Sequence, residues 1–162
     1  MLNVELKDFD VMSTIDRIGQ VDFQAFLNEA GQFMRQEIQE HATQGMGPDG
    51  PWVPNTGRYA EWKAKKYGTP PLTLTGELMQ HISVYLVAGP AVDVGISDGI
   101  HQKIPRPFPF RAWEEPRDYA SIAEGQETGT RSKGKPRQIF GINETEIQQV
   151  FNLFCDAVER IL

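Results

Sequence analysis

The sequence predicts an α+β domain: a small antiparallel sheet packed by an N-terminal and a C-terminal amphipathic helix, with long extended loops. Three patterns predict it. Apolar residues recur at three- and four-residue steps over 22–42 and again over 147–161, the period of a helix with one apolar face. Residues 82–97 alternate around Gly89-Pro90, the period-2 pattern of a β-hairpin. The stretches 98–118 and 125–136 are rich in proline, or in glycine and basic residues, and predict loops.

Taken in order, Leu2, Val4 and Leu6 alternate with Asn3, Glu5 and Lys7, which predicts a short strand over 2–8. Phe23, Phe26, Leu27, Ala30, Phe33, Met34 and Ile38 then line one face of a helix. Asp22 is its expected N-cap, and Gly45, Gly47 and Pro48 stop it. The glycines and prolines of 45–54 leave little room for regular structure, so Trp52 is expected to pin that segment to the core. A short basic helix is expected over Arg58 to Lys66, and a second short helix starting at Thr75 as N-cap. The hairpin strands are placed at 82–88 and 91–97.

Pro105, Pro107, Pro109 and Pro116 exclude a central strand or a helix, so 98–118 is expected to be extended, with Phe108, Phe110 and Trp113 as docking residues. Residues 119–125 predict a helical turn, 125–135 a mobile basic loop and 137–142 a third strand. The last helix has the clearest start. Asn143 and Glu146 have capping-box spacing, and Ile142 and Ile147 have that of a hydrophobic staple. Ile147, Val150, Phe151, Phe154, Val158 and Ile161 form its stripe, with Cys155 beside it as a core residue.

The 162 residues suit one domain, with 40% apolar and 23% charged residues as in ordinary globular proteins. A net charge of −6 argues against a simple nucleic-acid binder. The charge is polarised: His101 to Arg137 holds eight basic and five acidic residues, a local +3 that leaves −9 elsewhere. Such a molecule can meet copies of itself, positive face to negative face. No run is long enough to span a bilayer, the N-terminus does not read as a signal peptide, and one cysteine fits a reducing cytoplasm. Phosphate-loop, His-Glu-x-x-His, Cys-x-x-Cys and nucleophile-elbow patterns do not occur. His41, His81 and His101 are far apart in sequence, so no metal site and no cofactor is expected. Asp49-Gly50 reads as a turn rather than part of a calcium loop.

The order of motifs resembles the virion-morphogenesis and tail-completion (neck, head-tail joining) proteins of tailed phages. An amphipathic helix leads to Pro48-Asp49-Gly50-Pro51-Trp52, followed by Lys63, Lys65 and Lys66. Then come Leu74-Thr75-Gly76-Glu77-Leu78, Val92-Asp93-Val94-Gly95, Tyr119-Ala120-Ser121-Ile122-Ala123-Glu124-Gly125 and Pro136-Arg137-Gln138-Ile139-Phe140-Gly141-Ile142. The match covers residues 20–162. The sequence departs where the family often has His at Ala123 and Arg-Pro at Arg137-Gln138.

The resemblance implies a non-enzymatic virion structural protein. It would form a homo-oligomeric ring, expected to be a hexamer, between head connector and tail tube, through which genomic DNA passes without sequence readout. Partners would be copies of itself and neighbouring neck, connector and tail-terminator or tail-tube proteins, in the virion and, during assembly, in the host cytoplasm. Arg131, Lys133, Lys135 and Arg137 would face an acidic neighbour or the DNA, and the 98–118 loop would bind an adjoining ring. One alternative is a DNA-binding or regulatory module using the basic loop 131–137. Another is a small hydrolase with Glu114 or Glu115 as acid/base.

Overall fold

Asp22 opens the first helix as the sequence predicts. Its Oδ1 accepts hydrogen bonds from the Gln24 and Ala25 amides at 3.1 and 3.0 Å, satisfying donors that a helix start leaves free. The helix, α1, runs Phe23–Gln44 and ends at Gly45, whose left-handed φ of 77° lets its amide cap the carbonyls of His41 and Ala42. The computed structural model describes residue 19 and residues 22–70, 76–87, 91–101, 117–129 and 136–160. The strand expected at 2–8, the Gly89-Pro90 turn, Thr75 and Ile161 lie outside them.

After α1 the chain folds back at once. Met46–Gly47 (β1) and Gly50–Pro51 (β2) pair antiparallel as a minimal ribbon, where the sequence predicts no regular structure. Two short helices follow, α2 at Gly57–Tyr67 and α3 at Glu77–Gln80. The residue capping α3 is Gly76, in a left-handed conformation, rather than Thr75. The predicted hairpin is present as β3 (Ile82–Val87) and β4 (Ala91–Ile96), antiparallel from Ile82 opposite Ile96 to Val87 opposite Ala91.

The two ends of the expected 98–118 excursion pair with each other. Ile100–His101 (β5) lies antiparallel to Arg117–Asp118 (β6). The predicted helical turn is a full helix, α4, at Tyr119–Glu127, with the Asp118 carboxylate accepting from the Ser121 amide at 2.7 Å. Residues 125–127, expected in the mobile loop, are therefore helical.

The third strand expected at 137–142 does not form. Its amides find a side chain instead of a partner strand: Glu127 Oε1 accepts from Ile139 N at 2.5 Å and Phe140 N at 2.8 Å. The last helix, α5, spans Glu144–Glu159 and has the predicted capping box. Asn143 Oδ1 accepts from Glu146 N, and Glu146 Oε2 accepts from Asn143 N.

The fold is thus α+β, with helices flanking small antiparallel ribbons. α1 is the common neighbour, packing against β3, β4 and α5. Its close approach to the hairpin occurs at Gly31, where an added Cβ would sit 2.6 Å from Val84 Cγ1 and 2.8 Å from Val92 Cγ2. Two polar side chains tie α1 to the chain entering the hairpin: Arg35 Nε donates to Ile82 O at 2.8 Å and Gln39 Nε2 to Met79 O at 2.7 Å. The core joins Ile38 and Ala42 of α1 to Trp52, Ile82 (0% exposed), Ile122 and Ile139. Among the described residues no helix is long and apolar enough to cross a membrane.

Candidate interaction face and polar clusters

α5 departs from expectation. Its apolar stripe predicts a buried face, yet the one buried residue of the helix is Glu146. Ile147 is 48% exposed and Phe151 55%, while Val150, Phe154, Cys155 and Val158 are half-buried. The cause is the position of α1, which gives Ala30, Gly31, Ile38 and Ala42 to buried packing and meets α5 through half-exposed aromatics. The Phe154 ring packs edge-on to Phe26 with centroids 5.5 Å apart, and lies 6.5 Å from both Phe23 and Phe151. Phe23 is itself 39% exposed. The result is a partly exposed, largely aromatic face along α5 and the start of α1.

Of the cationic candidates, Arg137 is described, while Arg131, Lys133 and Lys135 lie outside the described residues. Arg137 points inward. Its guanidinium donates to Val53 O and Asn55 Oδ1 at 3.1 Å each and to Gln126 Oε1 at 3.3 Å. Burial lowers its pKa from the ordinary arginine value. It is a clamp between the 53–55 segment and α4. The docking residues Phe108, Phe110 and Trp113, and Glu114 and Glu115, also lie outside the described residues.

A second cation, from the Lys63, Lys65 and Lys66 stretch, is buried nearby. Lys63 is 1% exposed, and its Nζ donates to Gly68 O at 3.3 Å and to Pro70 O. Burial, and next the Arg137 charge, lower its pKa from 10.5. Below that folded value the charged form opposes folding, and the opposition fades as pH rises from the folded pKa toward 10.5. Tyr119 acts in the opposite sense in alkali, because burial and then Glu77 raise its pKa above 10.0. The test is therefore a difference. Measured against the parent in parallel urea titrations, Lys63→Met is expected to stand best near neutral pH and to lose ground steadily as pH approaches 10.

Tyr119 belongs to a third cluster. Its hydroxyl donates to Glu77 Oε2 at 3.0 Å and its ring stacks on His81 at 4.0 Å. His81 Nδ1 lies 3.1 Å from Ser97 Oγ, which donates to His81 O, also at 3.1 Å. Ser97 is thus committed to a backbone carbonyl. The cluster fastens α3, β4 and α4 together rather than presenting an activated nucleophile.

The fourth cluster joins the two long helices. His41 Nε2 lies 3.0 Å from Glu146 Oε1, and Glu37 stands one turn before His41 on α1. One ligand atom from each of the three lies within 4.8 Å of the others. Read along the chain, the histidines have no local ligand partners. The fold brings Glu146 to His41 from 105 positions away, and the one local signal is the Glu-x-x-x-His spacing of α1.

No protein-family profile, characterised protein or solved structure matches this chain.

Proposed function

We propose that this protein is a structural subunit of a bacteriophage neck, a tail-completion or head-tail joining protein that assembles into a homo-oligomeric ring, with no catalytic role. The observation that carries this reading is the exposed apolar face of Phe23, Ile147 and Phe151. A capped, amphipathic helix with its stripe uncovered is what a subunit completed by its neighbours requires. The order of motifs along the chain supports the phage assignment, and the charge polarity supports a head-to-tail contact between unlike surfaces. In a ring, the 98–118 excursion serves an adjoining layer, and Arg131, Lys133 and Lys135 remain candidates for the lumen.

The experiment is a solution mass by light scattering across salt and protein concentration, alone and mixed with connector and tail proteins. A ring, expected at six times the 18.3 kDa of the chain, supports the reading. Phe151→Glu is expected to lower the mass to that of one chain while leaving the helical circular dichroism unchanged, because the residue is more exposed than packed. A wild-type protein that stays monomeric in every mixture would sink the proposal.

A further inference from the structure

We infer that Glu37, His41 and Glu146 form a binding site for a divalent metal of the zinc class, clipping α1 to α5. The donor set is one imidazole and two carboxylates, which suits a borderline cation better than a hard one. Glu37 and His41 share a face of α1 by their four-residue spacing, and Glu146 is fixed against them by the α5 capping box. Ligand atoms within 4.8 Å of one another need only a small contraction to surround an ion bonded at about 2.0–2.2 Å.

Two observations call for something beyond the protein's own contacts. The capping box and the 3.0 Å pair account for Glu146 and for His41 Nε2, but His41 Nδ1 is buried and has no hydrogen-bond partner. A buried nitrogen of this kind needs a partner, and a metal or its bound water supplies one. The second is charge. Two carboxylates, Glu37 and Glu146, meet at one imidazole, and a dication balances their charge. Binding takes the deprotonated carboxylates and a neutral imidazole. If the ion takes Nε2, the proton now held toward Glu146 leaves to solvent; if it takes Nδ1, the Nε2–H stays on Glu146, which then orients the ring from outside the ion's own ligands.

The test is a thermal melt at pH 7.5 of the untagged chain in a Cys155→Ser background, in chelator and then in free zinc at rising concentration.

The melting temperature of the parent is expected to rise by roughly 5–10 °C at a hundredfold excess over the dissociation constant. That rise should be lost in Glu37→Gln and in His41→Gln. Glu146 is left intact because it caps α5. If His41→Gln folds poorly, ¹⁵N spectra of the parent imidazoles decide the matter: zinc should move the His41 ring nitrogens and leave His81 in place. No zinc-dependent rise, or an equal rise in parent and Glu37→Gln, would overturn the site.

Discussion

Trp52→Ala is expected to cost about 3–5 kcal/mol, among the largest losses a single substitution in this chain can cause. Trp52 is a large residue of the core, and it does two jobs at once. Its ring is buried with Ile38, Ile122 and Ile139, and its indole Nε1 donates to Gln138 O at 2.9 Å. Removal opens a cavity and leaves a carbonyl without its donor. Gly47→Ala should approach the same result by another route. A Cβ there would lie 2.5 Å from Gln138 O and 2.6 Å from Trp52 Nε1, wedging the bond apart from within the ribbon. Urea denaturation of the two single variants and the double variant tests the claim. Because both act on one contact, the combined loss should fall well short of the sum. Additive losses would mean that Gly47 and Trp52 act separately.

The same contact explains how much of the fold was legible along the chain. Elements specified by their own residues were readable: Asp22 and Gly45 bounding α1, the alternation of β3 and β4, and the Asn143–Glu146 capping box. What was not readable depends on which distant segment arrives beside which. The 45–54 turn and the 136–142 segment meet through Trp52 and Gln138, through Arg137 and Val53, and through Gly141, whose added Cβ would lie 2.8 Å from Pro48. Two of the motifs that carry the phage resemblance are thus halves of one packing unit.

Periodicity also misjudged α5. An apolar stripe states that a face seeks cover, and cannot state whether cover comes from the same chain. The hydrogen bonds of Arg137 were hidden for a related reason: a basic residue at the end of a basic loop reads as solvent-facing, whereas its acceptors come from 53–55 and from Gln126. The Glu37–His41–Glu146 cluster escaped because its third member comes from the other end of the fold.

The second large effect concerns the missing third strand. Glu127→Ala is expected to destabilise the protein by about 2–4 kcal/mol, because it strands two backbone donors at once. Residues 137–142 have the alternation of a strand, and an isolated extended segment must place its amides somewhere. Ile139 is buried, so water cannot serve its amide, and the end of α4 supplies the Glu127 carboxylate to both Ile139 N and Phe140 N. The neighbouring Arg137 amide donates to Gln126 O at 2.9 Å, so the C-terminal end of α4 holds three amides of the segment.

Glu127→Gln keeps an acceptor oxygen in the same place and should lose less than the alanine variant. The measurement is amide hydrogen exchange combined with urea titration. In Glu127→Ala the Ile139 and Phe140 amides should exchange faster by far more than the global stability loss requires, while the β3–β4 amides should follow the global loss alone. Uniform acceleration across both regions would show instead that the segment is held by Ile139 packing and by Arg137, with the carboxylate incidental. The segment leads directly into Asn143 and the start of α5. Loosening it should therefore also weaken the anchoring of the helix that carries the aromatic face, and with it any ring built through Phe151.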